Sequence, residues 1–273
     1  MRFLVRPPPV ELAPLIEHLW YFAGALPAGR ERLLPSGEAQ LLVNLDADRL
    51  STWDADGRAV VARTGGAAFA GPRTRPIGID LGDQRAIVGV SFRLGGAAAF
   101  VGGAGDALGA IADGDVDLGD LWGRDGAVVR ERVLEAGEPD AALAALAAIL
   151  RERLVRPVVI DPAVIEAARA LDRGAAVGRI AARLGLSERQ LLRRFTAQIG
   201  LTPKRFARVR RFQRVLRAAG AGADWARVAV DHGYYDQAHL IHEFRELAGM
   251  CPTAYRPRAA GSPNHVALPA EPT

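Results

Sequence analysis

Apolar positions along this chain follow two different rhythms. Through the first hundred residues they come as short runs separated by Gly, Pro and Asp: HLWYFAG from His18, QLLVNL from Gln40, RAVVA from Arg58, AAFAG from Ala67, PIGIDL from Pro76 and RAIVGVSF from Arg85. Such runs between turn residues predict strands of an antiparallel sheet or small barrel, not alternating βαβ units. Beyond Gly102 the rhythm lengthens, and 124–136 and 139–154 read as helices. Pro157 disfavours helix at Arg156, which marks a boundary. From Asp161 onward no strand pattern is visible. Asp161 and Pro162 supply an N-cap and a first-turn proline for the helix VIEAARALDR, and Gly174 closes it. The expected fold class is α+β: a β-rich domain with helices over 1–156, an all-α domain over 157–260, and a disordered tail over 261–273.

Laid on itself, the helical half repeats. Ile180, Ala181 and Gly185 return 48 residues later as Val228, Ala229 and Gly233. After a one-residue slip, Leu191, Phe195, Gly200, Pro203 and Phe206 return 49 later as Leu240, Phe244, Gly249, Pro252 and Tyr255. Each copy carries the physics of a helix-turn-helix. A small residue, Ala181 or Ala229, sits where two helices approach closely, and Gly185 or Gly233 ends the first helix where the backbone needs positive φ. Ser187 or Asp236 then caps the second helix, accepting from backbone N–H groups that would otherwise lack partners. Leu191 with Phe195, and Leu240 with Phe244, stand four apart and form one buried stripe. The outer face of the first copy presents Arg189, Gln190, Arg193 and Arg194, and that of the second presents Gln237, Ala238, Ile241, His242 and Arg245. Between the copies KRFARVRRFQRVLRAA reads as a linker helix, with Phe206, Val209, Phe212, Val215 and Leu216 inward and arginines outward.

Charge separates the two halves. Residues 1–160 carry a net −4, whereas 161–273 carry a net +8. Val177 to Leu216 alone hold 11 basic residues against one acid, Glu188. A polyanion such as double-stranded DNA is the matching partner, and a solvated Arg-rich surface the plainer reading. The start, MRFLVRPPPVEL, lacks the apolar core of a secretory signal, and the most apolar stretch is broken by Asp106. A cytoplasmic protein is expected, in agreement with a single cysteine, Cys251, read as an inert, partly buried thiol.

Residues 161–258 resemble the DNA-binding domain of the AraC/XylS family of bacterial transcription regulators, most fully in SERQLLRRFTAQIGLTPKRF and GYYDQAHLIHEFRELAGMCPTAY. The resemblance implies an activator or repressor with no enzymatic activity, cofactor or metal. It also implies two recognition helices, over about 187–197 and 236–247, entering successive major grooves about 34 Å apart. Base contacts then fall on Arg189, Gln190 and Arg193 in the first unit and on Gln237 and His242 in the second. Phosphate contacts fall on Arg194, Lys204, Arg205, Arg208 and Arg245. RNA polymerase and a second copy of the chain are further implied partners. Three positions depart from the family pattern: Ala238 stands for a usual Ser, His242 for a usual Arg, and Cys251 for a usual Ser. The first two put base reading by the second unit in question.

The first half resembles, through YFAG, ERLLPSGEAQLLVNL, GPRTRPI and VGVSFRLGGAAAFVG, the amino-terminal sensor or dimerisation domains of some members. That implies a cupin-like barrel followed by helices. Arg73, Arg75 and Trp20 are the candidate residues for an unidentified small-molecule effector, with a turn flank and core packing as their plainer roles. Catalysis finds little material. His18 is the sole histidine before His232, no cysteine precedes Cys251, and Lys204 is the sole lysine, so metal, thiol and P-loop chemistry lack their residues. A second reading stays open, an enzyme or small-molecule carrier working through 1–155 with the basic half as a tether.

Overall fold

The structure is a computed structural model that describes the chain except residues 27, 103–105, 155–158, 220–223, 260 and 270–273. The strands of the first half are β1 (Arg2–Arg6), β2 (Ile16–Ala23), β3 (Arg30–Leu33), β4 (Gln40–Asn44), β5 (Arg49–Trp53), β6 (Val60–Gly65), β7 (Ala67–Ala70), β8 (Ile77–Asp80), β9 (Ala86–Phe92) and β10 (Asp115–Asp117). Its helices are α1 (Ala98–Val101), α2 (Ala107–Ala110), α3 (Leu118–Trp122), α4 (Arg124–Ala127), α5 (Val129–Glu135) and α6 (Pro139–Arg153). The second half holds α7 (Pro162–Asp172), α8 (Val177–Arg183), α9 (Glu188–Ile199), α10 (Pro203–Ala218), α11 (Trp225–Asp231), α12 (Gln237–Ala248) and a last strand, β11 (His265–Ala267). The architecture is α+β, with two antiparallel sheets in the order β1-β2-β9-β4-β7-β10 and β11-β3-β8-β5-β6.

Period-two alternation distributes the first half's apolar residues. Leu41, Val43, Phe69, Val88 and Val90 face the helical layer of α3, α5 and α6, where they join Leu118, Val129, Leu146 and Leu150 in the largest core cluster. From the opposite face of that sheet Leu42, Ala68 and Ile87 meet Leu50 and Trp20 between the sheets. Buried on both faces, β9 reads as a near-continuous apolar run. Gly89 within it makes room for the Trp20 ring, since a Cβ there would stand 2.2 Å from it. All six strands expected from the apolar runs are present. The sequence pattern missed β3, RERL, whose Glu31 and Arg32 are buried polar residues.

The helical half has two cores joined by α10. Phe206 belongs to the first, with Ile180, Ala181, Leu191 and Phe195. Val209, Phe212, Val215 and Leu216 belong to the second, with Ala229, Leu240, Phe244 and Tyr255. One helix therefore ties both units into a single body, as its inward stripe predicts. The boundary expected at Arg156 and Pro157 lies outside the described residues.

The expected disordered tail over 261–273 is corrected at its described residues, where His265–Ala267 form a strand. β11 pairs antiparallel with β3, with Val266 opposite Arg32, and Val266 is buried in the second helical core beside Leu34. The buried Glu31 carboxylate explains the attachment. It is held by Arg258 and by His265 Nδ1 at 2.9 Å, so the segment satisfies a charge that would otherwise be stranded. Burial pushes the Glu31 carboxyl up, but those two partners outweigh it and hold the group below its ordinary value.

Further contacts cross between the halves. Arg32 donates to Ala248 O and Gly249 O, both at 3.2 Å, at the C-terminal end of α12, where a cation suits the helix dipole. Its other donors reach Ala55 O and Asp56 Oδ1 in the β5–β6 turn, each at 2.6 Å. Gln213 on α10 donates to Pro35 O at 2.7 Å.

Candidate nucleic-acid interface

Each helix-turn-helix is built by local chemistry. Gly185 and Gly233 adopt φ of 66° and 76°, a region that L side chains rarely enter. The chain then turns back, and Leu186 N–H donates to Ala181 O at 3.0 Å as Tyr234 N–H does to Ala229 O at 2.9 Å. Ser187 accepts from the Gln190 N–H, and Gln190 Oε1 accepts in return from the Ser187 N–H, a complete capping box on α9. Asp236 Oδ1 accepts from the His239 N–H at 2.7 Å and starts α12. Both helices end in a left-handed glycine, Gly200 and Gly249. The two expected caps and the expected recognition helices are thus present.

On α9, Leu191 and Phe195 are buried, and Arg189, Gln190, Leu192, Arg193 and Arg194 are exposed. Among the described residues Arg189 and Arg193 make no ion pair or hydrogen bond, so both guanidiniums stand free on one face of a rigid helix. Gln190 is exposed but its carbonyl serves the cap, which leaves its NH₂ outward. On α12, Gln237 is exposed at the first turn, and His242 faces Glu246 at 3.4 Å. Tyr235, 91% exposed immediately before the cap, was not singled out by sequence.

The cations assigned to phosphate contacts differ among themselves. Lys204 is exposed and without an ion pair among the described residues. Arg194 reaches Asp161 at 3.4 Å, and Arg205 reaches Asp113 at 2.5 Å. Arg208 bonds Glu243 at 3.3 Å and also Glu246, and Arg245 donates to Cys251 Sγ at 3.1 Å. Within the basic run, Arg183, Arg210, Arg211 and Arg214 are likewise paired, with Glu166, with Asp172 and Glu38, with Glu243, and with Asp172. Four of the eleven basic residues, Arg179, Arg189, Arg193 and Lys204, remain unpaired among the described residues. The field that a polyanion meets is correspondingly smaller than the sequence count suggests.

Glu243 organises the centre of this surface. It occupies in the second unit the repeat position of Arg194, is 6% exposed, and accepts from Tyr234 Oη at 2.9 Å as well as from Arg211 at 2.6 Å. Burial, with the Glu243 charge, pushes the Tyr234 hydroxyl well above the ordinary phenol range. Asp172 plays a similar part at the end of α7. Burial raises its carboxyl, but hydrogen bonds and charge from Arg210 and Arg214 hold it below the ordinary carboxylate range. A lowered folded value contributes stability that is complete above the unfolded value and is lost as pH falls toward the folded one. Asp172→Asn is therefore expected to flatten the pH dependence of the unfolding midpoint below about pH 4. An acid limb identical to that of the wild type would show that the pairing does not stabilise the fold.

In the first half, the candidate effector residues are not assembled into one clamp. Arg73 is buried on Asp115, whose other oxygen accepts from Thr52 Oγ1 at 2.5 Å, while Arg75 is exposed and Trp20 is packed on Gly89. A cleft of about 830 Å³ opens elsewhere, lined among others by Arg49, Ser51, Trp53, Arg63, Asp80 and Arg130. Sequence did not point to it, because its lining comes from four separate segments. Among the described residues no helix is long and apolar enough to cross a membrane, and no group of three or more His, Cys, Asp and Glu side chains could hold a metal ion.

Two capped helix-turn-helix units on a common linker helix, the first with unpaired arginines on its exposed face, define a DNA-binding regulator of transcription. Residues 180–258 match the helix-turn-helix domain family HTH_18, and the chain carries a C-terminal helix-turn-helix domain of the AraC type. Residues 5–110 match DUF6597, a domain of unknown function. No curated protein matches the sequence. Among solved structures, the chain is similar to the crystal structure of ToxT from Vibrio cholerae O395, with 10% identity and a TM-score of 0.44 over 93% of this chain and 96% of that one. It is also similar to unsaturated fatty acid bound wild-type ToxT from Vibrio cholerae strain SCE256, with 9% identity and a TM-score of 0.42 over 93% and 96%.

Proposed function

We propose that the chain reads a specific DNA sequence chiefly through α9, with Arg189 and Arg193 on base edges, and that α12 contributes through Gln237 and His242 in the neighbouring major groove. The observation that carries this reading is the pair of free guanidiniums on a helix whose start is fixed by a capping box. A guanidinium donates a fork of N–H groups matched to the O6 and N7 acceptors of guanine, and its planarity is useful only if the backbone that carries it is rigid. Lys204 is the readiest phosphate ligand. Arg194, Arg205, Arg208 and Arg245 must each exchange a protein partner for a phosphate.

In this reading the second unit is the weaker reader. The positions equivalent to Arg189, Arg193 and Arg194 are Ala238, His242 and Glu243, which replaces guanidiniums by a methyl, an imidazole and a buried carboxylate. The first half supplies sensing or pairing of two copies rather than catalysis, and the chain works in the cytoplasm with RNA polymerase as its further partner. Selection of bound fragments from a random duplex pool tests the proposal. The expected product is one strongly defined half-site and a second, more degenerate one about a helical turn away. A pool with no enrichment, or two equally defined half-sites, would overturn the assignment.

A further inference from the structure

Asp113 is the one non-glycine residue with positive φ, 62°, among the described residues. Aspartate enters this region more readily than most residues, yet the conformation persists only where surrounding contacts hold it. Those contacts are specific. Asp113 Oδ1 accepts from the Thr74 N–H at 2.5 Å, and Oδ2 lies 2.8 Å from Thr74 Oγ1. Arg205 Nη2 then donates to both Asp113 Oδ2, at 2.5 Å, and Thr74 Oγ1, at 2.6 Å. One residue before Thr74 and two after Asp113, Arg73 and Asp115 form their buried pair, so the segment that carries the carboxylate is anchored from within the first half.

The other partner belongs to the DNA-binding half. Arg205 lies in the first turn of α10, directly after the turn that ends α9, and its side chain is 44% exposed against 19% for Asp113. A guanidinium held by a carboxylate oxygen and a hydroxyl has the same kind of oxygen partners as one held by a phosphate. We propose that Asp113 competes with DNA for Arg205, an oxyanion of the first half standing where a backbone phosphate would bind. The inference rests on the reading of Arg205 as a phosphate contact. DNA binding then requires the Asp113–Arg205 contact to open, and whatever displaces the 113–115 segment raises affinity for all sequences alike. The first half thereby sets the strength of binding without touching the bases.

The test uses the full chain and a duplex of arbitrary sequence, with binding measured over a salt series. Asp113→Asn keeps the tolerance for positive φ and an oxygen for Thr74 but removes the charge. It is expected to bind roughly threefold to tenfold tighter than the wild type, with a slope of log K against log salt steeper by about one unit. Asp113→Gly, which suits the backbone equally, serves as the second variant and should behave alike. In an Arg205→Ala background neither change should alter affinity. Wild-type affinity and slope in both Asp113 variants would overturn the competition while leaving DNA binding intact. A gain in affinity that persists without Arg205 would overturn it too, since it would report general charge. Failure of the wild-type chain to bind any duplex would instead bring down the functional reading itself.

Discussion

Arg193→Ala is expected to weaken binding to the selected site by about 1–3 kcal/mol and to erase preference at one base pair. The argument rests on what the side chain does not do in the free protein. It is exposed on α9 and makes no ion pair or hydrogen bond among the described residues, so removing it should change folding stability by no more than about 0.5 kcal/mol. Loss of binding is then loss of a DNA contact. Competition binding against the single-base-pair variants of the site measures it, and a variant that kept wild-type preference at every position would refute the role. Arg208→Ala should behave differently. Its guanidinium is engaged by Glu243 and Glu246, so truncation both weakens binding to all sequences and leaves a buried carboxylate with fewer partners.

Phe244→Ala is expected to cost about 3–5 kcal/mol of folding stability, the largest effect of any single truncation in the second unit. Phe244 is 1% exposed, and its ring meets Phe212 at 5.3 Å, Tyr255 at 5.7 Å and Trp225 at 6.0 Å, all edge to face. Alanine would remove the one ring common to all three pairs. The core around it also includes Leu34 and Val266, from beside β3 and from β11, so the damage should extend to the junction with the first half. Urea unfolding of the two proteins gives the difference. A shift below about 1 kcal/mol would mean that the site collapses around the missing ring and that the packing is not tight.

The contrast between these two residues shows which parts of the site could be read early. Phe244 and Phe195 announce themselves by period and by repeat, since each stands four residues after a buried leucine and forty-nine from the other. The turn glycines and the caps are equally visible, because their partners lie within five residues along the chain. Arg193 and Arg205 look alike in sequence, two arginines on amphipathic helices within one basic run. Their difference is made by Asp113 and Thr74, ninety-two and one hundred and thirty-one residues away, which engage one and not the other. The same holds for β3, whose polar letters RERL hide a strand because its buried charges are satisfied by groups remote in the chain, Arg32 by Asp56 and Glu31 by Arg258 and His265.

Sequence alone determined what short-range chemistry specifies: two helix-turn-helix units, their caps and turns, the linker helix between them, and most strands of the first half. Backbone sterics, capping and periodic burial act over a few residues, so they are written locally. Tertiary structure decided which cations are free, where the last strand attaches and how the first half grips α10 and α12. Ion pairs and strand pairing join groups remote in the chain, and a charge's availability depends on the partner that folding brings to it.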